Sequence, residues 1–126
     1  MTKIFVTVQI PGIHYWPGGQ ERSKNHQYLQ YPHRHIFHIR VTKTVTHDNR
    51  DIEFLDFKDK VVLTITQEWS KDWDTIPPGN KTLCDFRNMS CEMIADRLLY
   101  IMNADEVEVS EDGENGAIVT KDVQSK

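Results

Sequence analysis

The sequence predicts one α+β domain spanning 1–126: an antiparallel β-sheet with two helices packed on one face, in the order β-β-α-α-β-β. Three observations carry this. Apolar and polar residues alternate near the start and again from residue 33, apolar residues recur at helical spacing over 53–70 and 90–103, and turn dipeptides punctuate an alternating stretch near the end. With 38% of its 126 residues apolar, the chain has enough for a single core, and it shows no internal repeat and no linker.

Ile4, Val6, Val8 and Ile10 alternate with Phe5, Thr7 and Gln9, which predicts a first strand over 2–10 that Pro11-Gly12 breaks. A loop over 11–32 follows, with Pro17, Gly18 and Gly19, a charged centre at Glu21, Arg22 and Lys24, and the aromatics Tyr15, Trp16, Tyr28 and Tyr31. Loops of this length are usually functional or mobile. From His33 the alternation returns, with His33, His35, Phe37, Ile39, Val41 and Val45 on one face and Arg34, His38, Arg40, Thr42 and Thr44 on the other. This second strand is long and ends near His47-Asp48-Asn49.

Residues 53–70 mix two signals. Val61, Val62, Thr64, Ile65 and Thr66 are β-branched, yet Phe54, Phe57, Val61, Ile65 and Trp69 recur at helical spacing, and we read a helix. The segment 70–88, with Pro77-Pro78-Gly79-Asn80, reads as a second loop. Ser90 as N-cap, Glu92 in the first turn, the stripe Met93, Ile94, Leu98 and Ile101, and Asn103 as a stop predict a second helix. Val107 and Val109 then alternate with acids, Asp112-Gly113 and Asn115-Gly116 are turn dipeptides, Ala117–Lys121 completes a hairpin, and Asp122–Lys126 reads as a frayed tail.

Charge bounds the function. Fifteen basic against nineteen acidic side chains give a net −4, which lacks the positive field that duplex nucleic acid or an anionic membrane attracts. Six of the acids fall between Asp105 and Glu114, so a local basic pocket for an anion stays open elsewhere. Cys84 and Cys91 have no CxxC spacing and suit a reducing compartment. No apolar run reaches the roughly 18 residues of a membrane span and Met1–Gln9 lacks the pattern of a signal peptide, so the expected location is the cytoplasm.

All six histidines lie within residues 14–47. His33-x-His35 sets two imidazoles on one strand face about 7 Å apart, a spacing that two ligands of one metal require, and His14 completes a three-histidine zinc site if the first two strands pair. The same histidines also fit a strand end in which they bond to backbone carbonyls or to acids such as Glu111, and both readings stand. Asp85-Phe86-Arg87-Asn88-Met89-Ser90 offers an aromatic plane, a guanidinium, an amide and free N–H groups at a helix start, the parts that hold a purine and a phosphate. An ordinary capped helix with Phe86 packed inward accounts for the same residues equally well. Tyr15-Trp16 reads either as a stacking lid or as a core anchor, Arg34 adds charge, and Glu111 is placed to accept from a heterocycle's N–H groups. Trp69 and Trp73 read as core or interface.

Taken in order, His14, His33-x-His35, Arg50-Asp51-Ile52-Glu53-Phe54, Ser90-Cys91-Glu92-Met93-Ile94-Ala95 and Val107-x-Val109-x-Glu111 resemble the tunnelling-fold (T-fold) superfamily, specifically the 6-pyruvoyl- and 6-carboxy-tetrahydropterin synthases. The resemblance implies zinc on His14, His33 and His35, a pterin anchored by Glu111, and subunits joined into rings through their sheets. Two features of those enzymes have no counterpart: residues 15–32 contain no cysteine, and no histidine follows His47. The segments Pro32–His38 and Val107–Ala117 are also similar to small phage proteins, and through them to the sponges that defeat Thoeris defence by sequestering glyco-cyclic ADP-ribose.

These readings lead to one expectation and one rival. The expectation is a non-catalytic homo-oligomer, dimer or hexamer, that captures a cyclic nucleotide immune signal in a host cytoplasm without cofactor, using Tyr15, Trp16, Arg34, Phe86, Arg87, Asn88, Ser90 and Glu111. The rival is a zinc-dependent pterin-type lyase with the three histidines as ligands.

Overall fold

The computed structural model describes residues 1–70 and 83–122. Within them the chain runs β1 (Thr2–His14), β2 (His33–Val45), α1 (Phe54–Trp69), β3 (Cys84–Asp85), α2 (Cys91–Met102), β4 (Glu106–Glu111) and β5 (Asn115–Thr120). These strands form one sheet in the order β3-β1-β2-β4-β5. Its four longer strands pair antiparallel, and β3 lies parallel to β1 beside Gly12 and Ile13. The α+β class therefore holds, while the expected order and the purely antiparallel sheet are corrected by one short strand. Two residues are too few to show a period-two pattern, so Cys84–Asp85 was illegible within the loop expected over 70–88. Trp73 and Pro77-Pro78-Gly79-Asn80 lie outside the described residues, as does the expected tail beyond Asp122.

The alternation of β1 continues through Pro11-Gly12 to His14, four residues past the expected strand end at Ile10. Pro11 precedes the point where β3 begins to pair, so the far side of β1 is still a sheet edge there, a setting that tolerates a missing N–H. Gly12 is required by a close approach, since a Cβ there would sit 2.6 Å from the Phe86 ring. The connection to β2 shrinks accordingly and contains two 3₁₀ turns, Pro17–Glu21 and Gln27–Gln30. Trp16 N–H donates to the Leu29 carbonyl to tie its two arms together.

Register places the apolar residues. Val6 faces Val41, Val8 faces Ile39 and Ile10 faces Phe37 across the first pair, and Val109 and Val107 continue the same face on β4. Onto it α1 presents Phe57, Val61, Ile65 and Trp69, and α2 presents Ile94, Ala95, Leu98 and Met102, all in one cluster. Each of the larger aliphatics contributes about 1.5–3 kcal/mol by leaving water. The other sheet face is open to solvent, where Arg40 covers the exposed Phe5 ring at 4.9 Å.

Local chemistry sets the helix ends. The Glu53 carboxylate caps α1 by accepting from Leu55 and Asp56 N–H, which decides in favour of a helix despite the β-branched run. Phe54, expected on its apolar stripe, is exposed instead. Ser90 caps α2, and Asn103 ends it in the left-handed conformation. In the β4–β5 hairpin the turn is Asp112-Gly113-Glu114, so Asn115-Gly116 belongs to β5 and is not a second turn. Among the described residues no helix is long and apolar enough to cross a membrane.

Candidate functional site

The face that carries the core ends in polar residues. His14 on β1 lies directly opposite His33 on β2, His35 lies opposite Gly12, and Glu111 on β4 lies opposite Phe37. The pairing thus puts three imidazoles and one carboxylate on the helix-facing side of the sheet, where the hydrophobic residues stop. The ring centroids of His14, His33 and His35 stand 4.6–5.2 Å apart, edge to face. Phe37, fully buried, meets the rings of both His14 and His35 from beneath.

Each imidazole is fixed from outside. Nδ1 of His14 lies 2.9 Å from the Met89 carbonyl, Nδ1 of His33 lies 2.9 Å from the Tyr31 carbonyl, and Nδ1 of His35 lies 2.8 Å from the Asp112 carboxylate. Carbonyl and carboxylate oxygens only accept, so Nδ1 donates in all three rings, and in the neutral form of each ring the lone pair is on Nε2. One ring nitrogen from each histidine lies within 4.8 Å of the others. Nε2 of His14 and of His35 are buried without a hydrogen-bond partner. Outward-donating Nδ1 groups and buried, unsatisfied Nε2 atoms are what a metal ligated by three imidazoles demands, and the residues fit zinc.

Glu111 faces the same nitrogens. Its Oε2 is 3.1 Å from Nε2 of His14, an ion-pair distance without hydrogen-bond alignment, and its Oε1 is 3.8 Å from Nε2 of His35 and accepts from the Asn115 amide. Burial depresses the pKa of His14, but the adjacent Glu111 carboxylate and the Met89 carbonyl outweigh it, and the net shift is upward. His14 in turn holds the Glu111 carboxyl below its ordinary range. His33 is pushed down, chiefly by burial. A metal ion bound here would therefore compete with a proton for the same lone pair on His14.

Above the cluster opens a pocket of about 350 Å³. Its wall includes Tyr15, Trp16, Asn88, Ser90 and Glu111, five of the eight ligand-binding residues expected from sequence, together with His14 and His33. The other three are elsewhere. Phe86 is fully buried between Phe37 and Trp69, with centroids at 4.7 and 5.1 Å, so it offers no face to a ligand and belongs to the core. Arg34 points to the opposite side of the sheet, since it falls between His33 and His35 on a pleated strand. Arg87 stands at φ 56° on the turn before α2, and its backbone is engaged by Asp85 and Tyr15 while its side chain is exposed outside the pocket wall. Among the described residues lining the pocket there is no lysine or arginine, and Glu92 adds a second carboxylate. Cys91 also lines it, but burial pushes both cysteine thiols up to about 12, so neither is a thiolate near neutral pH.

Backbone carbonyls and Glu111 were expected beside the histidines and are found there, but sequence reasoning did not identify which carbonyls they are, nor Asp112. The Met89 and Tyr31 carbonyls leave no signature in a sequence, Asp112 was hidden inside a turn dipeptide, and Asn115 was read as turn when it supports Glu111. No protein-family model matches the chain, and no curated protein matches it either. What the geometry defines is an α+β domain carrying a three-histidine, one-carboxylate cluster at the floor of an aromatic-walled pocket.

Proposed function

We propose that this pocket holds a divalent metal, zinc by its ligand set, and binds a planar nitrogen heterocycle of pterin or purine type on a T-fold scaffold, without covalent chemistry. One observation carries the reading: all three Nδ1 groups are tied to oxygens outside the cluster, which leaves the Nε2 side of each neutral ring available, and one ring nitrogen from each histidine lies within 4.8 Å of the others. Bound zinc would supply Lewis-acid polarisation of a ligand oxygen. The chain's own residues do the rest. Glu111, held ionised and oriented by Asn115, accepts from the N–H edge of the heterocycle, while Tyr15 and Trp16 give it an aromatic wall. The scaffold assignment is supported by the four long strands in sequential antiparallel order with both helices inserted between β2 and β4. Protonated, buried thiols favour retention of the ligand over a nucleophilic reaction.

Capture of a cyclic nucleotide signal in an infected host's cytoplasm is the narrower form of this reading. It is favoured by Asn88 and Ser90, which stand at the N-terminus of α2 on the pocket wall and can meet a phosphate. With no lysine or arginine among the described residues of that wall, phosphate charge would be met by a neighbouring copy in a dimer or hexamer; the edge of β1 ahead of Gly12 and the edge of β5 support such assembly. Elemental analysis of protein purified without chelators is expected to give about one zinc per chain. Melting shifts across pterins, purine nucleotides, cyclic dinucleotides and cyclic ADP-ribose isomers then identify the ligand, and heat release shows whether it comes back intact. No zinc uptake together with no shift from any heterocycle would sink the proposal, and a cleaved product would convert it to the lyase.

A further inference from the structure

The three histidines are not held alike. His14 and His33 donate to neutral backbone carbonyls, whereas His35 donates to a carboxylate, that of Asp112 in the β4–β5 turn. Asp112 is itself fastened twice to one residue of β2. Its N–H donates to the Ile36 carbonyl at 2.8 Å, and its Oδ1 accepts from the Ile36 N–H at 2.9 Å. That leaves Oδ2 aimed at Nδ1 of His35 at 2.8 Å. The turn residues Asp112 and Gly113 adopt φ of 57° and 72°, which bring the carboxylate back over the strand it grips.

We propose that Asp112 is the positioning residue of the metal centre, keeping the proton of His35 on Nδ1 and so keeping Nε2 open as a ligand. This rests on the metal reading of the pocket. The geometry makes the role unusually sensitive to chemistry at constant shape. An asparagine has one oxygen, and the Ile36 N–H, which can only donate, claims it. The asparagine amide then donates toward Nδ1 of His35, which must become an acceptor, and the proton moves to Nε2, where it blocks the metal. Asp112→Ala removes the partner without inverting it, because water can still accept from Nδ1. Asparagine should therefore be the more damaging replacement, although it tolerates a positive φ better than alanine does.

The experiment uses the full chain in two measurements. Long-range ¹H–¹⁵N correlation in metal-free protein reports which His35 nitrogen is protonated. Competition with a chromophoric chelator reports zinc affinity. Wild type is expected to show Nδ1–H on His35. Asp112→Asn should show Nε2–H and bind zinc 10–100-fold more weakly, the usual cost of losing an outer partner of a ligating histidine, with Asp112→Ala losing less. A turn-building role alone gives the reverse order. Asp112→Asn with wild-type zinc affinity, or with an unchanged His35 tautomer, overturns the proposal. If wild type takes up no zinc, the metal reading fails while the tautomer of His35 in the two variants still decides what Asp112 does.

Discussion

Replacing Phe86 separates a core residue from a ligand-stacking one. Its ring is wholly removed from solvent, wedged between Phe37 and Trp69 and resting on Gly12, which has no side chain to obstruct it. An aromatic of this size buries about 150–250 Å². At about 25 cal/mol per Å² the whole side chain is worth roughly 4–6 kcal/mol, and truncation to alanine in well-packed cores costs about 3–5 kcal/mol. A chain of 126 residues is expected to have some 6–19 kcal/mol of stability in total. Phe86→Ala should thus remove a large share of it, and Phe86→Leu, which refills part of the space, about 1–2 kcal/mol. Urea titration followed by tryptophan fluorescence reads this as a lower midpoint at unchanged slope. The folded fraction of Phe86→Leu should keep wild-type zinc affinity. A loss under about 1 kcal/mol for Phe86→Ala, accompanied by lost heterocycle binding, would refute the assignment of Phe86 to the core.

Three further outcomes follow from the site. Glu111 is depressed and His14 raised, so their mutual stabilisation is complete between the ordinary values of 4.5 and 6.5; it fades below as Glu111 gains a proton and above as His14 loses one. In metal-free protein the stability difference between wild type and Glu111→Gln should peak in that window, and the His14 pKa by NMR should drop in the variant; a difference flat from pH 4 to 8 contradicts the pairing. Zinc at 100 times its Kd should add about 2.7 kcal/mol and raise Tm by about 10 °C for a chain of this length, with His33→Ala abolishing most of the shift; an equal shift in that variant would place the metal elsewhere. Folded protein at pH 8 should react with a thiol reagent far more slowly than denatured protein, since both thiols sit near 12; rapid labelling of Cys91 would show it to be more open than its burial implies.

Much of the fold was legible because long strands and amphipathic helices write their periods into the sequence. The stripe Phe57, Val61, Ile65 and Trp69 outweighed the β-branched residues around it, and the Ser90 and Asn103 caps were read from residue type alone. What failed was local. Pro11-Gly12 has the composition of a break, yet an edge position and a close ring contact absorb both residues into β1. Of the site, the three histidines and Glu111 were legible because strand alternation fixes a face. Phe86 was not, since an aromatic before a helix cap looks the same whether it turns inward or outward. The arginines were drawn to the site by charge alone, and strand parity sends Arg34 to the other side.

That parity has a consequence for how the site can change. Its four groups stand at even positions of β1 and odd positions of β2 and β4, the same classes that hold Val8, Ile39 and Val109. Adding or deleting one residue in β1 between Ile10 and His14 would turn His14 to the solvent face, whereas a change of two would only slide it along the same face. The loops at 15–32 and before α2 are under no such counting rule. Insertions, deletions and substitutions there can redraw the pocket wall and its ligand while the cluster beneath stays in place. The histidines and Glu111 are in this sense heritable with the sheet itself, and selectivity is free to drift above them.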